Sequence, residues 1–167
     1  FPLIGGILKK LGAIVIDTCG GGEKKASSLI EGMQRAKADG RRVLIYPEGH
    51  LAPVGYHFRY KAGVWHMAEA MGVPVVPVAT NIGCFWQQQE TEKRPGKAVI
   101  EFLEPIPPGL PKDEFLRRLT LAIETRTAEL VGEALGKPPV MATLIPDPPN
   151  GMEAAPTAAD LAAYKKA

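Results

Sequence analysis

The chain has 167 residues, 46% hydrophobic and 23% charged, which suits one compact domain and excludes wholesale disorder. Its net charge of +2, from 20 basic and 18 acidic residues, gives no bulk-electrostatic case for a nucleic-acid partner, and none is expected. Cys19 and Cys84 have neither C-x-x-C spacing nor the density of a disulfide scaffold, so a reducing compartment is the default.

In chain order, Leu3, Ile4, Ile7, Leu8 and Leu11 recur at helical spacing around Lys9 and Lys10, which predicts a short amphipathic helix. Ala13 to Ile16 is a largely β-branched run read as a buried strand ending at Asp17-Thr18, and Gly20-Gly21-Gly22 follows as a linker. Residues 24–39 predict an amphipathic helix with Leu29, Ile30, Met33 and Ala36 on one face, stopped by Gly40. Val43 to Tyr46 reads as a second buried strand, and Pro47 opens a loop over 47–60. Val64, Met67, Ala68 and Met71 form a helical face ending at Gly72, and Val75 to Ala79 reads as an edge or bulged strand because it contains Pro77. Ala98 to Leu103 is a fourth strand, and 113–135 the longest helix, with Asp113 and Glu114 placed to complement its dipole. After Gly136 the composition changes, with six of the sixteen prolines in the last 31 residues. The chain therefore divides into a structured part, 1–136, and a mostly irregular Pro/Ala-rich tail, 137–167. Strands alternating with helices predict an α/β layered fold with a mixed, partly parallel sheet flanked by helices, and functional residues at strand ends.

The most informative segment is Tyr46-Pro47-Glu48-Gly49-His50. Pro47 ends a ladder, Glu48 puts a carboxylate at a strand's C-terminal end, and Gly49 permits a positive φ or close backbone approach. The competing reading is a Pro-Glu-Gly turn with a solvated glutamate. Downstream, Lys61 in Tyr60-Lys61-Ala62-Gly63 brings a cation to the start of a helix, where an anion such as phosphate is held well, against the alternative of an ordinary surface lysine. His66 and Glu69, at i and i+3, supply two metal ligands without a third, and no metal is assigned. The glycine cluster fits neither nucleotide-binding fingerprint, so no nucleotide or other cofactor is assigned. Tyr56, Phe58, Tyr60, Trp65, Phe85 and Trp86 near His57, Arg59 and Lys61 fit either a lipid-interface contact or core packing.

These residues resemble the lysophospholipid acyltransferases of the 1-acyl-glycerol-3-phosphate acyltransferase type. Gly12-Ala13-Ile14-Val15-Ile16-Asp17 is similar to the family's G-x-x-x-I-D-R block, and Tyr46-Pro47-Glu48-Gly49 to its F-P-E-G-T-R block. Tyr60-Lys61-Ala62-Gly63 resembles the lysine-glycine element, and Val73-Pro74-Val75-Val76-Pro77-Val78 the V-P-x-x-P-V block, all in the family's order. Asn81 to Trp86 and Phe102 to Gly109 also look like bacterial members, so the resemblance covers about residues 1–130.

The resemblance implies transfer of a fatty acyl group from acyl-CoA or acyl-carrier protein to the hydroxyl of a lysophospholipid, in phospholipid biosynthesis at the cytoplasmic face of the cell membrane. It implies that Glu48, Gly49, His50 and Lys61 line the substrate site. The family's base is a histidine in an H-x-x-x-x-D block, which suits taking a proton from an alcohol near neutral pH. His50, His57 and His66 are followed five positions on by Gly55, Ala62 and Met71, so none reproduces that block. With a start at Phe1 rather than Met, the catalytic histidine and aspartate are expected upstream, and this chain alone is expected to be inactive. Thr18 stands where the family has arginine after I-D, and His50-Leu51 where it has T-R, which weakens a phosphatidic-acid-pathway acceptor because arginine suits bidentate phosphate recognition. The alternatives are a non-catalytic lipid- or protein-binding module on the same fold and, more weakly, a soluble anion-binding α/β domain.

Overall fold

In a computed structural model the structure describes residues 6, 10–14, 22–87 and 91–146. The elements are α1 (Gly22–Ala38), β1 (Tyr56–Phe58), α2 (Gly63–Met71), β2 (Val78–Thr80), a 3-10 turn (Ile82–Cys84), β3 (Ile100–Phe102), α3 (Lys112–Leu135) and β4 (Thr143–Ile145). The protein is thus a mixed α/β structure. Among the described residues the strands form two pairs, β1 with β4 in parallel and β2 with β3 antiparallel.

The predicted helices are the best-matched elements because each has both an apolar face and a stop. In α1, Met33 is buried and Gly40 follows the helix in the left-handed region. The last-turn Lys37 donates to the Met71 carbonyl at 2.7 Å, so α1 caps the C-terminus of α2. Helix α2 buries Val64 and Ala68, one turn apart, and ends at Gly72 with φ 62°, whose N–H returns to the Ala68 carbonyl. Helix α3 starts after Pro111 and buries Phe115 and Leu119 against Tyr60, Val64, Ala68 and Ile106. Each such large apolar side chain, once buried, stabilises by about 1.5–3 kcal/mol. A second cluster, Phe58 and Ile145 with Ala52 and Tyr56, lies across the β1–β4 pair.

The strands depart further from expectation. Val43 to Tyr46 is not a strand: only Ile45 reaches the core, Leu44 and Tyr46 are 75% and 74% exposed, and among the described residues no ladder partner meets the run. An apolar run supplies side chains for a core but no partner for its N–H and C=O groups, and pairing decides whether a strand forms. Ala13 and Ile14 are likewise outside any strand; the rest of that predicted strand and most of the opening helix lie outside the described residues. Pro77 interrupts its strand as anticipated. Val75 bridges Ile106, Leu103 donates to the Pro77 carbonyl, and regular pairing begins only at Val78.

Two segments read as irregular carry strands. Tyr56–Phe58 lies inside the 47–60 loop, and Thr143–Ile145 lies beyond Gly136, pairing Tyr56 with Thr143, His57 with Leu144 and Phe58 with Ile145. Both are three residues long, too short for a periodicity signal, and each exists because the other completes its ladder.

Candidate functional site

The candidate loop is built by three backbone links. Pro47 and Glu48 occupy the centre of a turn closed by the Gly49 N–H donating to the Tyr46 carbonyl at 3.1 Å, with Gly49 at φ 71°, a conformation that favours glycine. The Lys61 N–H donates to the Pro47 carbonyl at 2.8 Å, drawing the two ends of the 47–61 segment together. The Phe58 N–H then donates to Glu48 Oε2 at 2.7 Å. Glu48 is therefore half-buried and bound to β1, which departs from the solvated-glutamate reading.

This placement has an electrostatic consequence. Burial pushes the Glu48 carboxyl above the usual carboxylate range; the Phe58 hydrogen bond opposes that shift, the Glu124 charge reinforces it, and His57 opposes it. Glu48 consequently carries a proton more readily than a surface glutamate.

Of the other expected site residues, His50 packs its ring on Phe58, with centroids 4.8 Å apart, on the turn that carries Glu48. Lys61 has an exposed side chain and stands just before α2, whose first turn has no acidic residue and whose N-cap, Ala62, makes no side-chain cap. Glu48, Gly49 and His50 are thus brought onto one turn, and Lys61 is tied to it by its backbone.

Two further residues belong to this neighbourhood. Tyr60 donates through its hydroxyl to Glu124 Oε1 at 2.7 Å, and both are buried. Burial and the adjacent Glu124 charge hold the Tyr60 phenol far above its usual range. His57 sets its Nδ1 3.1 Å from the Phe58 carbonyl and meets the Tyr60 ring edge-on. Sequence reasoning missed Glu124. Its burial is on the side of α3 that carries Ala128 one turn on and Gly132 two turns on, away from the Phe115 and Leu119 face, and small residues at i+4 and i+8 are a weak signal of burial.

Other candidates resolve into structure. Glu69 accepts the Gly109 N–H at 2.7 Å, leaving His66 on an exposed position beside Trp65. Among the described residues no group of three or more His, Cys, Asp or Glu is disposed to hold a metal ion. Of the aromatic set, Phe58 and Tyr60 are core, Trp65 donates to the Leu110 carbonyl, and Trp86 is 54% exposed under the Lys93 ammonium. Among the described residues no helix is long and apolar enough to cross a membrane.

Residues 1–81, the segment that carries Glu48, Gly49, His50 and Lys61, match the acyltransferase family. The chain is similar to a 1-acyl-sn-glycerol-3-phosphate acyltransferase of Pseudomonas aeruginosa, at 40% identity over 57 residues. Those residues are 34% of this chain and 22% of that relative, so the match spans about a fifth of the relative's length. No solved structure matches the chain.

Proposed function

We propose that the protein is part of a glycerolipid acyltransferase that moves a fatty acyl group from acyl-CoA or acyl-carrier protein to the hydroxyl of a lysophospholipid of the 1-acylglycerol-3-phosphate kind. The observation that carries this reading is the half-buried Glu48 carboxylate, held at 2.7 Å by the Phe58 N–H on a turn within the family-matched segment. In the reaction the acceptor hydroxyl loses a proton to a base and its oxygen attacks the thioester carbonyl. The C–O bond forms, the C–S bond breaks, and the thiol leaves with a proton. The base is a histidine oriented by an aspartate upstream of this chain. Glu48 holds the acceptor's polar end, and Gly49 leaves backbone room beside it. Lys61 and the uncapped α2 N-terminus offer positive charge to its head group.

The layered arrangement of sheet and helices typical of the family is part of the same proposal. So is action at the cytoplasmic face of a membrane, toward which the exposed Leu44, Tyr46, Leu51 and Trp86 offer apolar contact. A second reading, a non-catalytic binding module, is favoured by Thr18, His50 and Leu51 and by the lack of a histidine followed five residues on by aspartate.

An acyl-transfer assay on the full-length gene product separates the two. The protein is reconstituted in lipid and offered acyl-CoA or acyl-carrier protein with a panel of lysolipids. The expected result is activity that Glu48→Gln and Lys61→Ala reduce far more than they reduce thermal stability. Silence with every donor and acceptor would support the binding module.

A further inference from the structure

Glu124 lies 6% exposed on α3, and the Tyr60 hydroxyl that donates to it belongs to an equally hidden residue. Burying a carboxylate is unfavourable unless it is paired, and an apolar pair of the same volume packs such a position at least as well. Packing alone therefore does not account for the pair.

The position of Tyr60 indicates what else it does. Two residues before it, the Phe58 N–H holds the Glu48 carboxylate, and one residue after it, the Lys61 N–H holds the Pro47 carbonyl. The turn that presents Glu48 is thus hung from the 58–61 stretch at two points. Between those points, Tyr60 fastens the stretch to α3 through Glu124. Helix α3, 24 residues long and packed through Phe115 and Leu119 into the core with Tyr60, provides a regular element as reference for a loop that has little regular structure of its own.

We propose that Glu124 is a positioning residue for the candidate site: through Tyr60 it fixes the stretch whose Phe58 N–H holds the Glu48 carboxylate. The role rests on the acyl-transfer reading of the Glu48 loop. The groups that act on Glu48 are the Phe58 N–H and His57 from β1 and Glu124 from α3. Of these, burial aside, Glu124 pushes Glu48 toward its protonated form, while Phe58 and His57 push the other way.

Two variants of the full-length protein test this, each read by a carbon-13 titration of the glutamate carboxyls, with Glu48 assigned through Glu48→Gln, and by acyl-transfer rates. Glu124→Gln keeps an acceptor for the Tyr60 hydroxyl but removes the charge, and the Glu48 titration is expected to move to lower pH. Tyr60→Phe with Glu124→Leu removes the polar pair but fills its volume. Thermal stability is expected near wild type, with kcat/KM reduced on the order of 10- to 100-fold because the loop loses its reference. Either an unmoved Glu48 titration in Glu124→Gln or wild-type kcat/KM in a stably folded double variant overturns the proposal. If wild type itself transfers no acyl group, the acyl-transfer reading fails while the substrate-free titration still decides the role of Glu124.

Discussion

Asn81 and Glu124 are hidden from water to nearly the same degree, 3% and 6% exposed, and both connect α3 to another part of the fold. The Asn81 amide donates to the Lys97 and Leu130 carbonyls and accepts the Val99 N–H at 2.7 Å, so every contact is to backbone and the group is neutral. Glu124 instead meets one side chain, Tyr60, and sits close enough to Glu48 to act on its charge. A neutral amide that satisfies backbone groups is an economical way to join two elements. An ionisable group buried beside another acid is not, and it belongs where charge has a use. The contrast separates a structural tie from a candidate site within one helix interface.

The strongest way to break that comparison is at Asn81. Asn81→Leu leaves the Val99 N–H and two carbonyls without their side-chain partner inside the fold, and a loss of about 2–4 kcal/mol in urea unfolding is expected. The Glu48 titration should stay where it is. A loss well under 1 kcal/mol would show that water or backbone rearrangement replaces the amide, and that Asn81 is no tie.

Gly132→Ala comes next and acts on the link between the two regions. Alanine in a helix interior normally stabilises by about 1 kcal/mol over glycine. Here its Cβ would stand 2.7 Å from the Lys137 carbonyl oxygen and 3.1 Å from the Pro139 nitrogen, backbone atoms of the segment that returns to β4. The clash should outweigh the propensity gain, giving a net loss on the order of 1–3 kcal/mol and weaker amide protection at Thr143 of β4, whose N–H donates to the Gly55 carbonyl. Unchanged or increased stability would mean the returning segment shifts at little cost.

Glu48 provides a smaller effect with a definite sign. Because its folded-state affinity for a proton is raised, the folded protein binds more protons at this site than the unfolded chain does, from the ordinary glutamate range up to the raised value. Stability contributed at this position is therefore present at low pH and lost as pH rises through that window. Glu48→Gln, which can still accept the Phe58 N–H, should gain stability relative to wild type as pH increases from about 4 to 7. A constant difference across that range would mean that Glu48 titrates as a surface carboxylate does.

Much of this was legible in the residues, for reasons that vary by element. Helices α1 to α3 were readable because an apolar stripe and a left-handed glycine at Gly40, Gly72 or Gly136 are local signals. The turn at Glu48 was readable because Pro47 and Gly49 restrict the backbone within a few residues. Strands β1 and β4 were not, since His57 finds Leu144 only after the chain has passed through α3, and nothing local to either announces the other. The Val43–Tyr46 run misled for the converse reason, carrying the composition of a strand without a partner among the described residues. Glu48 itself was found by its motif, but the Phe58 N–H that binds it and the Glu124 charge that acts on it come from outside that motif.

The smallest expected effect sharpens the comparison from outside. Arg126 joins α3 to β3, just beyond the Lys97 and Val99 backbone that Asn81 bonds, meeting Glu101 of β3 at 2.9 Å and Glu129 and Glu133 of α3 at 2.7 and 3.1 Å. These bonds hold the guanidinium proton even more firmly than usual. At the surface, however, water and salt compete for every partner, so firm geometry does not translate into stability. Arg126→Gln should therefore lower the unfolding midpoint slightly at low ionic strength, and the difference should shrink as salt is raised. Asn81→Leu should show no such salt dependence, because its partners are backbone groups inside the fold. A large, salt-insensitive loss from Arg126→Gln would reverse the assignment and make the outer network, not the buried amide, the main tie between β3 and α3.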